Sequence, residues 1–133
     1  MNITLAEDIM GLILMHPEQL DMDLYVDAEG DTVQELRDSC GTTACIAGWA
    51  ALLTLPADVR VWDGNAGGRS ISEIGREALQ LGEDVADVLF HDTVNDEAVP
   101  ALKFLIGRPD ATAGDLEKFL DEGRDDHHCS RCA

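Results

Sequence analysis

Aromatic side chains are scarce in this chain, which has one Tyr, two Trp and three Phe among its 133 residues. A core must therefore be filled mainly by Leu, Ile, Val and Ala. Basic residues are scarcer still relative to their opposites, with 9 Lys and Arg against 27 Asp and Glu and a formal charge of -18. Neutralising phosphates needs a cluster of Lys or Arg, so the composition argues against direct binding of nucleic acid. An anionic membrane surface is disfavoured for the same reason. Long apolar runs are also missing. The longest candidate, Ile9 to Met15, falls far short of the roughly 18 residues that span a bilayer. Glu7 and Asp8 precede it, where a secretory signal would carry positive charge. The expected compartment is the cytoplasm, where the four cysteines would be free thiols or metal ligands rather than disulfides.

The charge is unevenly spread. Between Met1 and Leu36 there are nine acids and no Lys or Arg, and between Glu83 and Asp126 thirteen acids face four basic residues. The middle third is nearly balanced. Two acidic blocks around a neutral centre suit either high solubility in a salty cytoplasm or a surface that docks on a basic partner.

Hydrophobic spacing places the helices. Thr4-x-x-Glu7 reads as a capping box for a first helix that ends at His16-Pro17, because the residue before a proline leaves the helical region. The polar segment from Glu18 to Ser39 carries Leu20, Met22, Leu24, Tyr25 and Val26 as anchors, with a short strand expected at Leu24 to Val26. Thr42 or Thr43 is the expected cap of a second helix reaching about Thr54. Its stripe of Ala44, Ala47, Gly48 and Ala51 lets a neighbour approach closely, which makes it the central helix. Val59 to Trp62 alternates like a strand before the turn-rich Asp63 to Gly68. Further helices start at Ser70 with Glu73, at Glu83-Asp84, at Asp96 with Pro100 in the first turn, and at Thr112-x-x-Asp115. Their expected ends are Gly82, Gly107 and Gly123. The result is a mainly α, compact single domain (1–123) of five to six short helices, with room for a small two-stranded ribbon, followed by a Cys- and His-containing tail (124–133).

Three groups of residues could carry function. Cys40 lies just before a helix start, where the positive end of the helix dipole favours a thiolate, and His16 is a candidate base for it. Cys45 and Cys40 form a Cys-x4-Cys pair that the tail's His127, His128, Cys129 and Cys132 could join to hold zinc. The opposing reading buries Cys45, Ile46 and Trp49 in the core and leaves the tail inert. The third group is the acidic residues themselves: Asp21, Asp23, Asp27, Glu29, Asp31, Glu83, Asp84, Asp87, Asp121, Glu122, Asp125 and Asp126. Other motifs fail on inspection. The glycine-rich run Gly64 to Ser70 lacks the lysine of a phosphate loop. Asp27 to Asp31 has its glycine at position four instead of the six that a calcium-binding loop needs.

The segment Met15-His16-Pro17-Glu18-Gln19-Leu20-Asp21-Met22, followed by Cys40-Gly41-Thr42-Thr43-Ala44-Cys45-Ile46-Ala47-Gly48-Trp49-Ala50, resembles a group of small bacteriophage and bacterial proteins. They share the pattern P-E-x-[FL]-D-M and then C-G-T-x-A-C-I-A-G-W-A. The likeness spans roughly residues 10 to 106 and includes Arg76 to Gly82 and Ala86 to Phe90. It departs at Tyr25, where that group carries Trp, and it leaves out the tail. The resemblance implies a phage-encoded cytoplasmic protein and brings no assigned activity. Together these readings favour a non-enzymatic protein that binds a basic host protein, in its sharpest form as a nucleic-acid mimic acting on a defence enzyme. A cysteine-dependent enzyme and a zinc-stabilised module stand as alternatives, and the oligomeric state is left open.

Overall fold

The computed structural model describes residues 1–26, 31–39, 41–62 and 64–132, with side chains described through residue 123. Seven α-helices and a small antiparallel sheet make the expected mainly α fold: α1 (Ile3–Met15), α2 (Val33–Asp38), α3 (Ile46–Thr54), β1 (Val61–Trp62), β2 (Asn65–Ala66), β3 (Arg69–Ser70), α4 (Ile71–Leu79), α5 (Glu83–His91), α6 (Ala98–Gly107) and α7 (Ala113–Cys132). Short 3-10 turns at Pro17–Gln19 and Asn95–Glu97 follow α1 and precede α6.

Helix α3 is the centre, as its small residues foretell. Every side chain from Ile46 to Leu52 is buried. Its closest neighbour is α4: a Cβ added to Gly75 would lie 3.0 Å from the Ala47 Cα. The two backbones therefore approach more closely than most side chains allow, and dispersion contacts gain from that proximity. Around this pair Ala6 and Ile9 of α1, Leu89 of α5, Leu102 and Leu105 of α6 and Leu116 of α7 complete a continuous aliphatic core. Trp49 is its largest fully buried side chain.

Several helix boundaries differ from those expected. Asn2, not Thr4, caps α1: its side-chain oxygen accepts the Leu5 N–H at 3.1 Å. The Asn2 N–H donates to the Leu79 carbonyl at 2.7 Å, so this end is positioned by α4 and not by a local capping box. The cap of α3 is Cys45, not Thr42 or Thr43, because the chain before it is held extended by cross-links described below. Helix α4 ends with Gln80 in the left-handed conformation (φ 56°), and Gly82 instead caps the start of α5. Asp96 lies within the 3-10 turn, and α6 begins two residues later. Helix α7 runs past Gly123 to Cys132, since one glycine costs a helix only about 1 kcal/mol.

Two elements were not foreseen. Helix α2 interrupts the segment read as a polar loop. Thr32 caps it, accepting from the Glu35 N–H at 3.3 Å while donating its hydroxyl to the Glu35 carboxylate at 2.9 Å. The ribbon gains a third strand, in the order β1-β2-β3. Ala66 pairs with Arg69 across Gly67 and Gly68, both at positive φ, which is the two-residue hairpin turn that glycine favours. The expected strand at Leu24 to Val26 reduces to one bridge, between Val26 and Ala44.

Candidate functional site

The Cys-Gly-Thr-Thr-Ala-Cys stretch is the place where the loop after α1 is tied to the central helix. Ala44 donates to the Gln19 carbonyl at 3.1 Å and accepts from the Asp21 N–H at 3.1 Å, while Cys45 N–H donates to the Leu24 carbonyl at 3.1 Å. The Trp49 indole N–H reaches back to the same Gln19 carbonyl at 2.8 Å. Tyr25 then crosses α3 so closely that a Cβ on Gly48 would fall 1.9 Å from its carbonyl oxygen. Each residue type follows from these contacts: a small residue at 44, a glycine at 48, an indole donor at 49. The two sequence patterns around Pro17 to Met22 and Cys45 to Ala50 are therefore one packing unit.

Within it the Cys45 thiol has a structural task. Its sulfur accepts the Gly48 N–H at 3.4 Å, capping α3, and the residue is only 2% exposed. Burial pushes the thiol above its ordinary pKa, outweighing the backbone N–H groups that would lower it. Its proton is held more firmly than that of an exposed thiol, which disfavours a nucleophilic role. His16 is exposed at the end of α1, with its Nδ1 3.6 Å from a Glu18 carboxylate oxygen. Cys40 lies outside the described residues, as do the side chains of His127, His128, Cys129 and Cys132. Among the described residues no group of three His, Cys, Asp or Glu side chains is placed to hold a metal ion.

The acidic candidates divide by place. Asp21 is partly buried and its carboxylate accepts the Asp23 N–H at 2.9 Å, leaving Asp23 exposed. The intervening Met22 N–H donates to the Asn95 side chain at 2.7 Å, and Tyr25 meets His91 edge to face at 6.3 Å. These two links bring the segment that carries Asp21 and Asp23 to the C-terminal end of α5, inside the second block. Asp31 sits beside β1, where its carbonyl accepts the Val61 N–H. Glu83 and Asp84 occupy the first turn of α5, where the helix dipole favours them. Asp87 is exposed one turn before His91. Asp121 and Glu122 are exposed on α7, while Asp27 and Glu29, and the side chains of Asp125 and Asp126, lie outside the described residues.

A groove of about 240 Å³ separates α5 from α7, lined by Val88, Asp92, Glu117, Leu120 and Asp121. Its floor is apolar and nearly covered, since Val88 and Leu120 are each 3% exposed. Its rim is three carboxylates. The other flank of α7 is organised differently: Phe119 stacks on Phe104 of α6 at 4.7 Å, and Arg108 lies over Phe104 and 3.8 Å from Asp115. Arg69 is likewise engaged, 2.7 Å from Glu77. Asp92 and Glu117 are the two groove carboxylates outside the acidic candidates of the sequence. The spacing that could have found them is i to i+4, which puts Val88 with Asp92 and Glu117 with Asp121 on single helix faces.

Comparison with protein-family models, with curated proteins and with solved structures gives no match. Among the described residues no helix is long and apolar enough to cross a membrane.

Proposed function

We propose that this chain is an interaction protein whose working surface is the acidic region at the C-terminal end of α5 and its groove against α7, and that its partner presents a basic surface. The observation that carries the reading is the placement of Asp21 and Asp23, from the first acidic block, beside the end of α5 in the second. Asp21 and Asp23 are held beside Asn95 through the Met22 N–H, next to the helix that contributes Asp87 and Asp92. Carboxylates from segments about 70 residues apart in sequence thus share one region, in a protein of net charge -18. Such a field steers a positively charged partner and raises its association rate, with an effect that salt weakens.

In its sharpest form the partner is a nucleic-acid-handling protein of a bacterial host, and the carboxylates occupy the Lys- and Arg-lined groove meant for phosphates. The likeness of the Pro17 to Met22 and Cys40 to Ala50 patterns to small phage proteins supports that setting. The experiment is capture from bacterial lysate on immobilised protein, read at rising salt and with duplex DNA as competitor. The expected result is a basic nucleic-acid-binding protein, released both by salt and by DNA. Recovery of no specific protein at low salt, or capture that DNA does not displace, would remove the mimic.

A further inference from the structure

We draw no further inference here: the strongest candidate, the α5–α7 groove rimmed by Asp92, Glu117 and Asp121, belongs to the acidic region already described and is a carboxylate cluster that nothing else in the structure assigns to a particular ligand, while the buried Cys45 thiol is spent on its helix cap and nothing shows what covers the exposed Leu14 and Met15 at the end of α1.

Discussion

The packed middle of this molecule and its acidic flank differ in almost every respect. Around α3 the charge is nearly balanced, the residues are small or aliphatic, and each distinctive side chain has an identified structural partner: Cys45 with Gly48, Trp49 with Gln19, Gly48 with the Tyr25 carbonyl. At the end of α5 and in α7 as far as Glu122 the residues form no conspicuous motif, yet the carboxylates of Asp87, Asp92, Glu117, Asp121 and Glu122 reach solvent. A distinctive sequence pattern can therefore mark a demanding piece of packing, and a plain acidic stretch can hold the surface available to a partner. The difference follows from physics: close packing restricts residue type at each position, whereas an electrostatic surface needs only charge of one sign within roughly a Debye length.

The comparison can be broken most forcefully from the packed side. Trp49→Ala removes the largest fully buried side chain and leaves the Gln19 carbonyl without its indole donor. We expect a loss of about 3–5 kcal/mol in stability, read by urea unfolding. Gly48→Ala places a methyl against the Tyr25 backbone, which can yield only by moving the loop away from α3. The expected loss is about 3 kcal/mol, the upper end for overpacking. A variant within about 0.5 kcal/mol of wild type would mean that the loop is not held on α3 as described.

A smaller effect distinguishes a structural thiol from a chemical one. Cys45→Ala should cost about 1 kcal/mol through the lost cap, and Cys45→Ser should recover part of it because a hydroxyl accepts the same N–H. A maleimide probe, with the labelled position located by peptide mapping, should modify Cys45 only on unfolding, and fast labelling of Cys45 in the native protein at neutral pH would contradict its burial.

On the acidic side the expected effect on stability is smaller. Joint replacement Asp92→Asn, Glu117→Gln and Asp121→Asn, all at exposed positions, should change stability by no more than about 1 kcal/mol, because the amides keep the size and much of the hydrogen-bonding capacity of the carboxylates. Asp115, on the other flank of α7, is built into the start of its helix, where its carboxylate accepts the Thr112 N–H at 3.1 Å. Hydrogen bonds from Thr112, backbone first and then side chain, hold its carboxyl below the usual range, assisted by Arg108 and Lys118. A folded-state pKa below the unfolded one gives stability that is present above the ordinary carboxylate range and is lost as pH falls through the depressed value. Thr112→Ala should therefore flatten the acid limb of the stability curve slightly, read by urea unfolding at a series of acidic pH values.

Much of the fold was legible because its signals are local. Helical spacing located six of the helices, Pro17 marked the end of α1, Ser70 and Thr112 were read correctly as caps, and the small stripe identified the central helix. Two of the misplaced caps share a cause: Asn2 and Cys45 are fixed by long-range partners, the Leu79 carbonyl and the loop after α1, which no local pattern encodes. Helix α2 is different, since its Thr32-x-x-Glu35 capping box stood in the sequence and was passed over among acidic neighbours. The site was less legible. Charge counts revealed two acidic blocks, but their meeting depends on Met22 and Asn95, whose one hydrogen bond spans 73 positions. In the Cys-Gly-Thr stretch Cys45 is a buried cap, which its residue type alone does not reveal, while the candidate nucleophile Cys40 lies outside the described residues.

The central claim, that the packed middle holds the fold while the acidic flank does the binding, is tested most directly by one comparative capture. Immobilised wild type, Cys45→Ser and the Asp92→Asn, Glu117→Gln, Asp121→Asn variant, each verified as folded by circular dichroism, are exposed to the same bacterial lysate at low salt. The account predicts that wild type and Cys45→Ser retain the same basic protein in equal amount and that the neutralised variant loses most of it. Equal retention by the neutralised variant, or loss confined to Cys45→Ser, would contradict the account.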